Sequence, residues 1–173
     1  MPKGFHQRPG LDYTQTFSHV VKPTTVRLVL LVALQNNWPL RQLDVNNAFL
    51  YGSLSEEVYM QQPSRFIDPT KPHHVCRLRK SIYGLKQAPR AWFQTLCKFL
   101  YDYGFVNSKS DPSLFIFRNN GIVLYALVYV DNIIITGNTI AKSLSALQPL
   151  QLLSPSRTWV TYTIFLVLRS FPL

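Results

Sequence analysis

The chain has 173 residues, 47% of them hydrophobic, and a formal net charge of +10. That length is enough for one domain with a real core, and the apolar content excludes intrinsic disorder. The charge suits a polyanionic partner, nucleic acid above all, while the two cysteines, Cys76 and Cys97, make neither a metal-ligand spacing nor a disulfide framework. No signal-peptide pattern opens the chain, and the apolar segment 159–168 is shorter than the roughly 20 residues a membrane-spanning helix needs. An intracellular, non-secreted chain without membrane contact is the expectation.

Residues 1–22 are loop-rich, with Pro2, Gly4, Pro9 and Gly10. Pro23-Thr24-Thr25 then opens the run VRLVLLVALQNN. A Thr cap before it and Asn36-Asn37 ahead of Pro39 predict a helix, and its apolar character on most sides predicts a buried one. Leu40 to Leu50 reads as strand and turn, with alternation placing Leu43 and Val45 opposite Asp44. Short strands are expected at Glu56 to Met60 and at Val75 to Leu78. Glu56 and Glu57 at the start of the first, and His73 and His74 in the loop between them, read as surface groups.

The strongest helical signal follows. Pro89 suits a first turn, Trp92, Leu96, Phe99, Leu100 and Tyr103 form an apolar stripe, and Gly104 fits the C-terminal cap. Lys80, Lys86, Gln87 and Arg90 cluster before and at its start, where free backbone N–H groups favour anions. Ser113 to Arg118 and Gly121 to Val130 are strands flanking Asn119-Asn120-Gly121, a hairpin signal. The last clear element, Val123 to Asn138, is strand, turn and strand, with the turn at Tyr129-Val130-Asp131-Asn132. The order of elements predicts an α+β domain, an antiparallel sheet backed by two helices.

Two carboxylates at strand ends, Asp44 and Asp131, in a basic chain suggest a divalent-metal site for phosphoryl transfer. Turn geometry alone equally accounts for Asp131 and Asn132, and a solvated strand edge for Asp44. Further along, the blocks WPLRQLDVNNAFLYGSLSEEVYMQQP, HHVCRLRKSIYGLKQAPRAWF, SKSDPSLF and LYALVYVDNIIITGN stand in one order. With KGFHQRPGLDYTQTFSHVVKPTTVRLVL before them, they resemble the reverse transcriptase of copia-type LTR retrotransposons.

The resemblance implies a reverse-transcriptase-like fingers and palm fragment, with residues 1–22 a remnant of the fingers and 23–140 the palm. It implies RNA-directed DNA polymerase chemistry, template-directed nucleotidyl transfer aided by paired Mg²⁺ (or Mn²⁺) ions. The partners would be an RNA or DNA template-primer and deoxynucleotides. Asp44, Asp131 and Asn132 would stand at the catalytic positions, with Asp44 and Asp131 as metal ligands. Phe49 would be the aromatic gate against ribonucleotides. Gln87 would lie against the incoming nucleotide and primer end, and Lys86 and Arg90 would contact phosphate.

Two departures stand out. Asn132 replaces the second Asp of the family turn Tyr-Val-Asp-Asp, and Asn46 replaces a Lys. The family has a basic stretch ahead of the position of Lys3, and thumb, RNase H, protease and integrase parts in its polyproteins; the expectation is a chain that lacks them. These features imply an inactive or strongly impaired polymerase. The alternative is a non-catalytic nucleic-acid-binding remnant or a relic without function.

The resemblance stops near Thr139, and 141–173 is expected to be a divergent, poorly structured tail with Trp159, Tyr162 and Phe165 exposed. A frameshift would produce it. Regrouping the codons of SRTWVTYTIFLVLRSF by one base permits the family segment Lys-Asp-Leu-Gly-Asp-Leu-His-Tyr-Phe-Leu-Gly-Ile-Glu-Val. In that regrouping the single Trp159 codon forces the first Gly.

Overall fold

The structure, a computed structural model, describes residues 4–139 and the backbone of 160–162. In chain order the elements are a 3₁₀ turn Gly4–His6, α1 Pro23–Gln35, β1 Leu40–Asp44, a second 3₁₀ turn Ala48–Tyr51, β2 Ser53–Gln61, β3 Val75–Lys80 and α2 Ala88–Tyr103. There follow β4 Val106–Asn107, β5 Leu114–Asn119, β6 Ile122–Tyr129, β7 Asn132–Gly137 and β8 Val160–Tyr162. The chain divides into two compact units, one of Met1–Ser18 with Asn47–Cys97 and one of His19–Asn46 with Lys98–Leu173. The expectations for the tail 141–173 fall outside the described residues, apart from the backbone of β8.

The second unit is built on an antiparallel six-stranded sheet in the order β4-β5-β6-β7-β1-β8. Its strands are Val, Ile, Leu and aromatic-rich, which suits a pleated, buried surface. The β5–β6 hairpin closes through Asn120 and Gly121, at φ 47° and 76°. Two positive φ values define the primed turn whose twist matches a hairpin, and Asn-Gly is the pair that adopts them at low cost. The β6–β7 hairpin closes through Val130 and Asp131, with Tyr129 opposite Asn132.

Helix α1 lays Val29 against Leu114 and Leu127, with Val21, Val26, Ile116, Tyr125 and Ile134 around them. The sequence predicts a buried helix; the structure buries only Val29 and Ala33 of it and leaves Leu28 and Leu31 exposed. A helix beside a sheet can press only one stripe onto it, and here the stripe is Val29 and Ala33, one turn apart. The Thr cap is also absent. Pro23 fills the first helical position, and the Lys22 N–H that precedes it donates to Asp111 Oδ2 at 2.9 Å.

Successive strand residues point to opposite faces, so Phe115 and Phe117 oppose Leu114 and Ile116. On their side Phe115 meets Tyr101, and Phe117 meets Tyr103 and Phe105, with ring centroids 5.5–6.0 Å apart. The end of α2 is closed by Phe105 N–H to Leu100 O and Gly104 N–H to Tyr101 O, both 2.9 Å. Those two bonds form a Schellman termination. The antiparallel sheet with helices thus agrees with the α+β expectation.

In the first unit β2 and β3 pair antiparallel, with Val58 opposite Leu78 and Tyr59 opposite Arg77. Val58, Leu85 and Ala88 form a core with Phe49, Leu54, Leu78 and Ile82. Trp92 and Leu96 of the expected α2 stripe are fully buried. Gly52 sits against the helix backbone: a Cβ there would lie 2.6 Å from Ser81 Oγ, 2.8 Å from Trp92 N and 2.9 Å from the Ala91 carbonyl carbon. Real Cβ atoms do not approach backbone so closely. Gly52→Ala is therefore expected to lower stability by about 1–3 kcal/mol through overpacking. A urea midpoint unchanged by the substitution would contradict this packing.

Candidate functional site

β1 and β7 are neighbours in the sheet, and their register sets Asp44 opposite Asn132 and Gln42 opposite Ile134. By the two-residue period of a strand, Gln42, Asp44, Asn132 and Ile134 share one face. The flanking Leu43 and Val45 point the other way and are buried, whereas Asp44 is exposed. This is the alternation expected from the sequence. Strand β1 therefore offers its carboxylate to solvent because its apolar neighbours anchor the opposite face.

Asp131 is delivered by the turn. Val130 precedes it at φ 54°, a left-handed conformation that a β-branched residue rarely adopts. Such a residue stores strain of about 1–3 kcal/mol and persists only where its surroundings over-determine it. The surroundings here are the two paired strands and one further bond, Val45 N–H to Asp131 O at 2.9 Å. That bond carries the β1–β7 pairing one step past the strands and ties the Asp131 backbone next to Asp44.

Side chains complete the group. Gln42 Nε2 donates to Asn132 Oδ1 at 2.6 Å, and Asn132 Nδ2 donates to Asp131 Oδ1 at 3.1 Å. Asn132 is thus used at both ends of its amide. Gln42 carries no motif of its own in the sequence. Its signal was its place two residues before Asp44, on the same strand face.

Divalent cations such as Mg²⁺ need hard oxygen ligands, anionic ones foremost. The donor set at this turn is two carboxylates and an amide. The amide presents N–H to Asp131, and its oxygen already accepts from Gln42. Among the described residues no three His, Cys, Asp or Glu side chains gather as a metal-binding group. With Asn132 uncharged, the turn and the facing strand end offer two anionic side chains, Asp44 and Asp131, that could hold a divalent ion.

The remaining site candidates belong to the first unit. Phe49, in the second 3₁₀ turn, packs on Tyr83 at 4.6 Å between ring centroids and adjoins the Val58, Leu85 and Ala88 core. Gln87, only 2% exposed, accepts from Gln7 Nε2 at 2.9 Å and donates to Asp12 O at 3.0 Å. Its amide holds the segment Gln7 to Asp12 against the start of α2. Lys86 donates its N–H to Gln7 Oε1 at 2.8 Å and sets its ammonium 5.3 Å from the Tyr13 ring centroid, a cation–π contact. Arg90, in the first turn of α2, donates to Gln15 Oε1.

One further polar centre lies in the second unit. Asp111, 2% exposed, accepts from the backbone N–H of Lys22 at 2.9 Å and of Ser113 at 3.0 Å. Burial pushes its carboxyl up. Hydrogen bonds from the Thr25 side chain, Lys22 and Ser113, with the Lys22 charge, outweigh burial and hold it below the usual carboxylate range. Asp111 thereby serves as the N-terminal anchor of α1 from 89 residues away.

Comparison with known proteins gives these residues a context. Residues 1–148 match the family model described as reverse transcriptase (RNA-dependent DNA polymerase). Over 136 residues, 79% of the chain, it is 61% identical to the retrovirus-related Pol polyprotein from transposon RE2 of Arabidopsis thaliana. It is 45% identical over 138 residues to the corresponding polyprotein from transposon TNT 1-94 of Nicotiana tabacum. The chain spans only 9% and 10% of those two proteins' lengths. No solved structure matches. Among the described residues no helix is long and apolar enough to cross a membrane.

Proposed function

The chain belongs to the reverse transcriptase (RNA-dependent DNA polymerase) family of copia-type retrotransposon Pol polyproteins, and from that premise we propose that it is a polymerase segment with strongly impaired nucleotidyl transfer. The observation that carries the reading is the amide of Asn132, bonded to Gln42 on one side and Asp131 on the other. In this reading residues 23–140 correspond to the palm and 1–22 to the end of the fingers. Asp44 and Asp131 are the carboxylates of the catalytic position, and Asn132 fills the third place without charge. The family's chemistry draws on divalent cations, which stabilise charge developing on phosphate oxygens. With one anionic group fewer beside the cations, this chain keeps the scaffold and loses much of that stabilisation.

The nucleotide-facing roles of Phe49, Lys86, Gln87 and Arg90 belong to the same proposal. Gln87 acts in it by holding the Gln7 to Asp12 segment, and Lys86 and Arg90 supply cations beside the start of α2.

Primer extension on an RNA template with Mg²⁺, with the chain beside its Asn132→Asp variant, tests the reading. Extension by the variant far above that of the parent supports it. Equal rates would overturn it, since the amide would then be no lesion.

The net charge of +10 favours a second reading, binding of primer-template without synthesis. Phosphate contacts would govern it, so filter binding should weaken steeply from about 50 to 200 mM salt, with little sequence preference. Affinity that holds constant over that range would remove this reading.

A further inference from the structure

We propose that Asn132 is a built-in substitute for a cation, which makes the carboxylate turn of this chain independent of divalent metal for its stability. The proposal rests on the reading of Asp44 and Asp131 as the paired carboxylates of the site. It concerns what the substitution does to the fold, beyond what it does to synthesis.

The geometry supplies the argument. Asn132 Nδ2 stands 3.1 Å from Asp131 Oδ1 and donates a hydrogen bond to it. A carboxylate at this position would put an anionic oxygen where that N–H now lies. Two like charges at hydrogen-bond separation repel, and a nearby cation is the usual means of holding them together. Here the amide dipole does it: its N–H end faces the Asp131 carboxylate, and its oxygen end is held by the Gln42 donor at 2.6 Å. Asp44 stands opposite Asn132 on the neighbouring strand, so a charge at residue 132 would meet a carboxylate on that side as well.

The location makes the effect visible in folding. Val130 is already strained at φ 54°, and the Val45 to Asp131 bond is the last rung between β1 and β7. Repulsion at Asp131 would act on the least relaxed part of the sheet. The neutral amide removes that repulsion and puts a hydrogen bond to Asp131 in its place.

Thermal unfolding tests this without template or nucleotide, so a chain that never synthesises DNA still decides it. The parent, Asn132→Asp and Asn132→Ala are melted in EDTA and in millimolar Mg²⁺ or Mn²⁺. The parent should melt at the same temperature in all three. Asn132→Asp should melt several degrees lower in EDTA and recover in Mg²⁺ or Mn²⁺. Asn132→Ala should lose several degrees in EDTA with no recovery.

A parent that gains as much from Mn²⁺ as the Asp variant would overturn the proposal. So would an Asp variant as stable as the parent in EDTA. A fall in the Asp variant that persists in Mn²⁺ would make the amide an ordinary hydrogen bond, and would overturn it too. An Asn132→Asp chain that stays unfolded even in Mg²⁺ or Mn²⁺ is such a persistent fall and overturns the proposal, as does an Asn132→Ala chain that melts with the parent.

Discussion

Asn132→Asp will raise the rate of primer extension on an RNA template with Mg²⁺ on the order of a hundredfold over the parent chain. The change is nearly isosteric, so the register that sets residue 132 opposite Asp44 is kept. Gln42 Nε2, now 2.6 Å from Asn132 Oδ1, can donate to a carboxylate oxygen as well as to an amide oxygen. What changes is charge. A third carboxylate replaces the N–H turned toward Asp131, and the donor set becomes three anionic side chains on adjoining strand ends. Metal-assisted stabilisation of charge at phosphate oxygens is worth several kcal/mol, and about 3 kcal/mol corresponds to roughly a hundredfold in rate. Adding Asp44→Asn to the variant should return it to the parent's rate. A gain that survives Asp44→Asn would mean that the carboxylates do not act together.

The second large effect is on stability. Asp111→Ala is expected to cost about 3 kcal/mol, a fall in melting temperature of about 6–12 °C. The carboxylate is 2% exposed and takes the N–H groups of Lys22 and Ser113. Deleting it strands two donors, each at about 1–3 kcal/mol, and removes a negative charge from the N-terminus of α1. Helix α1 has no side-chain cap of its own to compensate.

The pH dependence has a definite sign. The folded-state carboxyl sits below its ordinary value of 3.8. Its contribution is therefore fully present above 3.8 and is lost as pH falls through the folded value. The gap in melting temperature between parent and Asp111→Asn should hold steady near neutrality and narrow once pH drops below about 4. A gap that widens in acid would contradict the assignment. Equal melting temperatures at neutral pH would show that α1 is anchored elsewhere.

Much of this molecule could be read locally. The Asn120-Gly121 turn, the Trp92, Leu96 and Leu100 stripe, and the Tyr129 to Asn132 hairpin are each encoded within a few residues. Local sterics and periodicity act over that range. The exposure of Asp44 between buried Leu43 and Val45 follows from strand alternation in the same way. The motif order also carried the family, because residue identities over most of the chain resemble it.

The rest depended on which distant residues meet. Nothing near Pro23 announces that Asp111 will hold the helix start, and nothing in an apolar run says that one stripe will face the sheet while Leu28 and Leu31 stay in solvent. Gln87 reads as a polar residue beside a helix start; only the folded chain commits its amide to Gln7 and Asp12. The substitution at Asn132 was legible as a lost charge. Its bond to Gln42 was not, because it depends on the register of β1 on β7 across 90 residues. The amino-acid sequence determined what each element would be and which chemistry stood at its ends. The tertiary structure decided which polar groups are satisfied and by whom, since long-range pairing, unlike a turn or a helix stripe, is set by packing of the whole sheet.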